Sequence, residues 1–281
     1  MTKGKKMQNT LNRCNAQRKL TDTNMALSTS MERLSSGLRV NSAKDDAAGL
    51  AIANKMTSQI RGMTVASRNA NDGVSMAQTA EAAMGVMTET MQRMRDLAVQ
   101  ASNTGAVTGE DKNKLQTEFK QLNDELQRVI TNTEFNGKKI INGSLSGGIN
   151  FQVGANTAAD NQIAISVANL SGTLSEVFKV SIGSGTSTGG GLSAITSLDA
   201  RIKAVDQARS KLGAVQNRFT TTISNLASAI ENQSAARSRI LDTDFAAETA
   251  ALSRNQILQQ AGTAMLSQAN QAPNSVLGLL R

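Results

Sequence analysis

The sequence predicts a mainly α-helical protein: a long antiparallel, coiled-coil-like bundle built from its N- and C-terminal segments, with a small β-hairpin region in the middle. Three observations predict it. Apolar residues recur every three or four positions through both ends of the 281-residue chain, strict alternation is confined to its centre, and aromatic residues are scarce, with no Trp or Tyr and six Phe. So few rings leave little bulk for a wide core. Ala, Leu, Ile and twelve Met suit the narrow seam between paired helices instead.

The elements follow in order. Leu20, Leu27, Met31 and Leu34 fall at coiled-coil spacing on a first helix. Ser35-Ser36-Gly37 ends it, with Gly37 suited to a left-handed cap. Asn41 or Ser42 starts the next helix, with Asp45 and Asp46 in its first turn. Its seam reads Met63, Ala66, Ala70, Gly73, Ala77, Ala80, Met84, Met87, Met91, Met94 and Ala98. That is a stripe sustained over about five heptads. Begun near Ala43 or Lys44 and ended at Gln100, before Ser102-Asn103-Thr104-Gly105, the helix would span about 85 Å at ~1.5 Å per residue. Such a helix has no core of its own and must pack against others. Thr108-Gly109-Glu110-Asp111 opens a third, whose seam is Leu115, Phe119, Leu122, Leu126 and Val129. Turns at Asn136-Gly137 and Asn142-Gly143 flank Ile140-Ile141.

The middle changes period. Ile149, Phe151 and Val153, then Ile163, Ile165 and Val167, alternate with polar residues and read as a hairpin around an Ala/Asn-rich loop. Phe178, Val180 and Ile182 read as a further strand, and Gly183 to Gly191 as a flexible excursion. Helical spacing returns with Leu198, Ile202, Val205, Leu212, Val215, Phe219, Ile223, Leu226 and Ile230. A terminal seam follows: Leu258, Ala261, Met265, Ala269, Ala272, Val276 and Leu279. The two-ended pattern predicts that the terminal helices pack on each other.

The same residues bound the function. Without His no His-based triad can form, and one cysteine, Cys14, excludes both an internal disulfide and a zinc site of the usual Cys/His kind. No nucleotide-binding P-loop and no H-E-x-x-H motif occurs. Asp45-Asp46 is read as helix N-terminal charge rather than a metal pair. Gly189-Gly190-Gly191 lacks the Lys and the strand-to-helix context of a phosphate loop. The expectation is a protein with no enzymatic activity, no cofactor and no metal. Most of the net charge of +8 sits on Lys3, Lys5, Lys6, Arg13, Arg18 and Lys19, with no acid among them. Lacking interleaved aromatics, this start is read as a solvated, poorly ordered tail and not as a nucleic-acid binder. No apolar run approaches the ~20 residues of a membrane span, and no apolar stretch follows the lysines as a Sec signal peptide requires. A helix near Leu252 to Arg281 carries only Arg254 and Arg281 as cations, so membrane insertion is not expected.

Met31 to Asn54 reads MERLSSGLRVNSAKDDAAGLAIAN, Leu212 to Phe219 LGAVQNRF, Ser238 to Phe245 SRILDTDF, and Ser253 to Arg281 SRNQILQQAGTAMLSQANQAPNSVLGLLR. These blocks resemble bacterial flagellin, the subunit of the flagellar filament. The resemblance covers about residues 16–143 and 198–281. It implies an inner-tube helix and linker (D0) over 1–42 and the N-terminal part of a helical rod (D1) over 43–143. A short variable hairpin and loop region over 144–197 follows, then the rest of the rod over 198–240 and a C-terminal inner-tube helix over 241–281. It is thus a short form without large outer domains. The resemblance further implies secretion through the flagellar type III apparatus and extracellular assembly into a homopolymer that drives swimming. Its partners would be copies of itself, the export chaperone, the filament cap protein and, in a host, Toll-like receptor 5.

The resemblance assigns Leu20, Leu27, Met31, Leu34, Leu258, Met265, Val276 and Leu279 to self-assembly seams. It assigns Gln92, Arg93, Arg95, Asp96 and Leu97, with Glu118 on the next helix, to receptor contact. Ordinary solvated charge beside a seam explains the same residues. One departure stands out: Met1 to Cys14 reads MTKGKKMQNTLNRC, with Cys14 where the family has Leu, and it fits the family's opening pattern poorly. The second reading is a flagellin-like cell-surface protein that binds an anionic polysaccharide through the basic tail. Ser144, Ser146, Ser171 and Thr173 lie where O-glycans could attach.

Overall fold

The computed structural model describes the backbone of residues 2–103, 105–167, 169–182 and 189–278, and the side chains of 11, 13–103, 105–167, 169–182 and 190–268. The described residues form six α-helices and two antiparallel two-stranded sheets. The chain divides into two compact units, residues 1–58 with 232–281 and residues 59–231. The divisions fall inside two long helices, α2 (Ala47–Ser102) and α5 (Gly189–Leu241).

The first unit is built on α1 (Thr2–Ser36) and α6 (Phe245–Gly278), which pack against each other as their patterns predict. Helix α1 begins at Thr2, so the basic start is helical and not a disordered tail. Lys, Gln, Met, Leu and Arg are all good helix formers, and no Pro interrupts them. The side chains of Lys3, Lys5 and Lys6 lie outside the described residues. Helix α1 ends where expected: the Gly37 N–H donates to the Arg33 carbonyl at 2.8 Å, with Gly37 at φ +71°. An L side chain there would meet the left-handed penalty of about 1–2 kcal/mol.

The next helix starts later than expected, at Ala47 rather than near Asn41–Lys44. Asp46 is its cap, accepting from the Gly49 N–H at 2.8 Å. Asp45 instead ties the preceding turn, accepting from the N–H of Ser42 at 2.9 Å and of Asn41 at 3.3 Å, and from the Ser42 hydroxyl at 2.9 Å. Those bonds, the Ser42 N–H foremost, hold its carboxyl below the usual range.

The second unit contains an extended core. Met84, Met87, Met91 and Met94 of α2 are fully buried, as their spacing predicts. Phe119, Leu126 and Ile130 of α3 (Gly109–Asn132) and Leu198, Val205, Leu212 and Phe219 of α5 join them. Helix α3 opens with the expected capping box, in which the Thr108 hydroxyl accepts from the Asp111 N–H and the Asp111 carboxylate accepts from Thr108. Gly73 admits Phe219: a Cβ there would lie 2.7 Å from its ring. The ring also meets Phe151 edge-on at 5.8 Å.

Two hairpins complete this unit. Strands β1 (Glu134–Phe135) and β2 (Lys138–Lys139) turn at Asn136-Gly137, where both φ are positive. Strands β3 (Ile149–Gln152) and β4 (Gln162–Ile165) pair Ile149 with Ile165 and Phe151 with Ile163, the hairpin expected from their alternation.

Two expectations for the middle are corrected. Phe178, Val180 and Ile182 form no strand. Phe178 closes a helix, α4 (Leu170–Phe178), capped by Asn169, whose Oδ1 accepts from the Gly172 N–H at 3.0 Å. Leu170, Leu174 and Val177 are its buried face, a helical repeat that overrides the shorter alternation beside it. Gly189, Gly190 and Gly191 are not part of a flexible excursion but the first turn of α5, with Gly191 buried against α2 near Ser102. Residues 183–188 lie outside the described residues.

Candidate functional site

Two surfaces carry the residues that the sequence singles out. The first is the α1–α6 pair. The helices run antiparallel: Gln259 Nε2 donates to Asn24 Oδ1 at 2.8 Å, and Arg33 and Glu248 approach to 3.9 Å. A Cβ on Gly262 would touch Leu20. The half-buried stripe of α6 is Glu248, Leu252, Asn255, Gln259, Gly262 and Leu266, a heptad-spaced face rich in polar and small residues. On α1, Leu20, Leu27 and Leu34 are half-buried.

Leu258 and Met265 lie on a different face of α6. They are 50% and 62% exposed, beside Ile257 at 66% and exposed Ala261. Met31 is 54% exposed, and Met25 and Leu11 likewise face solvent. Each terminal helix thus uses one stripe inside the chain and leaves apolar side chains uncovered. Within the chain the two terminal helices cover one stripe of each other. The Val276 side chain and Leu279 lie outside the described residues.

The two linkers of this unit are hydrogen-bonded to one another. Leu38 and Asp242 form a β-bridge, and the Thr243 N–H donates to the Gly37 carbonyl at 3.0 Å. The Arg39 guanidinium donates to the Ile240 carbonyl at 2.7 Å, satisfying a free acceptor at the end of α5. Asp244 caps α6, its Oδ1 accepting from Ala246 at 2.9 Å. The blocks LSSGLRV and SRILDTDF thus meet in space. Sequence reasoning missed Arg39 because its partner lies 201 residues away and is a backbone carbonyl. Ile257 was missed because it falls outside the chosen seam.

The second surface lies on α2 and its neighbours. Arg93 donates through Nε and Nη2 to Glu118 Oε1 at 3.0 and 2.7 Å, so the structure brings these two sequence-selected residues together. Their side chains are 56% and 43% exposed, which makes the pair worth only about 0–1 kcal/mol. Arg95 points to α5, with Nε 2.6 Å from Asp199 Oδ1. That hydrogen bond, with the Asp199 charge, holds Arg95 more firmly protonated than usual. Gln92 and Asp96 are exposed. Leu97 is not available to a partner: at 1% exposure it belongs to the core, since its helical position lies on the same side as Met94 and Ala98. Ser144, Ser146 and Ser171 are exposed; Thr173 is half-buried and donates its hydroxyl to the Asn169 carbonyl at 2.8 Å.

Among the described residues no group of His, Cys, Asp or Glu could hold a metal ion, and no helix is long and apolar enough to cross a membrane. Cys14 is free and exposed.

Comparison with known proteins identifies the class. The model of the bacterial flagellin N-terminal helical region matches residues 8–146, and that of the C-terminal helical region matches residues 195–280. A flagellin of Halalkalibacterium halodurans is 47% identical over 89% of this chain and 90% of its own length. The flagellin of Bacillus subtilis is 43% identical over 97% of each chain. Flagellin A of Vibrio cholerae is 38% identical over 95% of this chain and 97% of its own. Among solved structures, Bacillus cereus flagellin superposes with a TM-score of 0.50 at 26% identity, covering 60% of this chain and 94% of that one. A putative flagellar hook-associated protein from Vibrio parahaemolyticus, at TM-score 0.59 and 12% identity, shares the fold over 70% of this chain and all of its own. None of these similarities supports a polysaccharide-binding protein. Matched at both ends by the family's own regions, and over most of its length by its members, the chain belongs to the bacterial flagellin family: a non-enzymatic structural subunit that self-assembles into the extracellular flagellar filament for motility.

Proposed function

We propose that the uncovered apolar stripe of α6, Ile257, Leu258, Ala261 and Met265, together with Leu11, Met25 and Met31 of α1, is the surface through which one subunit is buried against its neighbours in the filament. What supports the reading is the exposure of these side chains in a chain whose family polymerises. A stripe of this kind gains about 25 cal/mol per Å² when covered. Leu20, Leu27 and Leu34 act one step earlier, by joining α1 to α6. The test is seeded growth of Ile257→Ser/Leu258→Ser protein. Elongation should stop while the helical circular dichroism of the monomer is kept. Growth at the wild-type rate would remove the stripe from the interface.

On this reading the first unit is the inner-tube domain and the second the rod, and the boundaries at 42/43 and 240/241 mark the linkers joined by Arg39. Before assembly the same α6 stripe is covered by the export chaperone. The chain leaves through the flagellar type III apparatus and is placed at the filament end by the cap protein. In a host, Gln92, Arg93, Asp96 and Glu118 present the surface read by Toll-like receptor 5, with Arg95 held against Asp199 beside it. Arg93→Ala should weaken receptor signalling by monomers, since an interface Arg at a hot spot is worth about 2 kcal/mol or more. Unchanged signalling would exclude Arg93 from the contact.

A further inference from the structure

Among the described methionines, two populations stand at opposite ends of burial. Met84, Met87, Met91 and Met94 are fully buried and Met76 is 3% exposed. Met25, Met31 and Met265 are 58%, 54% and 62% exposed, and all three lie on the terminal helices. Met56 and Met63 are half-buried. A thioether reacts with peroxide only where the oxidant can reach sulfur, so burial protects the first population and exposure commits the second. The three exposed sulfurs belong to the surface assigned above to subunit contact. On α6 the residues one and two turns before Met265 on the same face, Ala261 and Leu258, carry no side-chain hydrogen-bond donor.

We propose that Met25, Met31 and Met265 are oxidation sites that gate polymerisation, an inference that rests on the assembly reading above. In the unassembled subunit the sulfur lone pair attacks one oxygen of hydrogen peroxide. An S–O bond forms, the O–O bond breaks, and after proton transfer water leaves. Sulfur is oxidised by two electrons and the peroxide reduced by two. The product sulfoxide is a polar acceptor on a face that must be desolvated for assembly. Buried without a donor, it opposes contact. The core methionines stay reduced, so the second unit stays folded. Once assembled, the same three sulfurs are covered and escape. Reduction of the sulfoxides restores the subunit.

The test uses the full chain with Cys14→Ser, which removes thiol oxidation from the readout. Monomer is treated with hydrogen peroxide, quenched, mapped by peptide mass spectrometry and then seeded. Met25, Met31 and Met265 should oxidise well before Met84, Met87, Met91 and Met94, and the critical concentration should rise by about tenfold or more. Treatment with a pair of methionine sulfoxide reductases, one for each epimer, should restore it. Met25→Leu/Met31→Leu/Met265→Leu protein, whose side chains keep their volume, should show the same critical concentration with and without peroxide treatment, each compared with its own untreated value. Equal oxidation of buried and exposed methionines overturns the inference. So does undiminished assembly of the oxidised chain, or equal loss in the triple variant. If the triple variant does not seed at all, reductase rescue of the oxidised wild type decides: recovery supports the inference and no recovery overturns it. Untreated wild type that fails to seed overturns the assembly reading and this inference with it, and is told apart because it precedes oxidation.

Discussion

The two units of this chain use similar helical spacing and bury it to opposite extents. In residues 59–231 the α2 seam closes against α3, α4 and α5, and thirty hydrophobic residues from Ala70 to Phe219 form one buried cluster. In the other unit the buried hydrophobic residues among those described are Val40 and Ala53, while Met25, Met31, Ile257, Leu258 and Met265 remain at least half exposed. Apolar periodicity therefore marks two kinds of surface. One is completed within the chain. The other is left uncovered within the chain and is the surface proposed above for subunit contact.

The largest effect should come from removing the open half. Deletion of Leu258 to Arg281 should abolish polymerisation while most helical circular dichroism survives, because the closed core contains none of those residues. Sedimentation and circular dichroism read both; filament growth, or collapse of the helical signal, would break the comparison. Next comes damage to the closed half. Phe219→Ala removes a fully buried ring that fills the gap over Gly73 and meets Phe151. It should cost about 3–5 kcal/mol and lower the melting temperature by on the order of 10 °C. A melting curve within a degree or two of wild type would show that the cluster is not what holds this unit together.

Smaller effects sharpen the contrast locally. Gly37→Ala places a Cβ at φ +71° and should loosen the linkers at a cost of about 1–2 kcal/mol, leaving the second unit's melting unchanged. Amide exchange at Arg39 and Thr243, which donate across the linkers, should accelerate; unaltered protection would mean that the bridge does not depend on the cap. The smallest effect belongs to the start of α3. The Thr108 hydroxyl, then Lys114, hold the Asp111 carboxyl below its ordinary value of 3.8. A carboxyl lowered by folding contributes stability that is present above the unfolded value and lost as pH falls through the folded one. Exchange of the amides at Asp111 and Lys112 should rise as pH drops below about 3.8, and Asp111→Asn should flatten that dependence. A wild-type profile equal to the variant's would remove Asp111 from the cap.

The closed half was the legible half. The α2, α3 and α5 seams and the β3–β4 hairpin show because a completed core demands large apolar residues at each inward position, from Met84 to Phe219. Two features stayed hidden for physical reasons. Helix α4 is short, and Phe178, Val180 and Ile182 happen to alternate past its end, while Asn169 as a cap and Leu170, Leu174 and Val177 as a face carried the decisive signal. Leu258 and Met265 were picked out as a self-assembly seam because they are hydrophobic, and the partner face within the chain went unnamed. The α1–α6 contact uses Asn255, Gln259 and Gly262, residues that hydrophobic patterning passes over. The candidate receptor patch was visible as a cluster, yet only the structure separates exposed Arg93 and Asp96 from buried Leu97.

That polar contact has a consequence for symmetry. Between Leu-only helices, sliding by a heptad costs little, and several offsets compete. Here an amide pair at Asn24 and Gln259, a close approach of Leu20 to Gly262 and a charge pair at Arg33 and Glu248 favour one offset together. Fixing the offset also fixes the azimuth at which Ile257, Leu258 and Met265 leave the pair. A helical lattice repeats a single contact many times, so any spread in that azimuth would accumulate as lattice disorder. With that stripe as the proposed subunit contact, the weak, register-setting polar bonds inside each subunit would set the tolerance of the whole assembly.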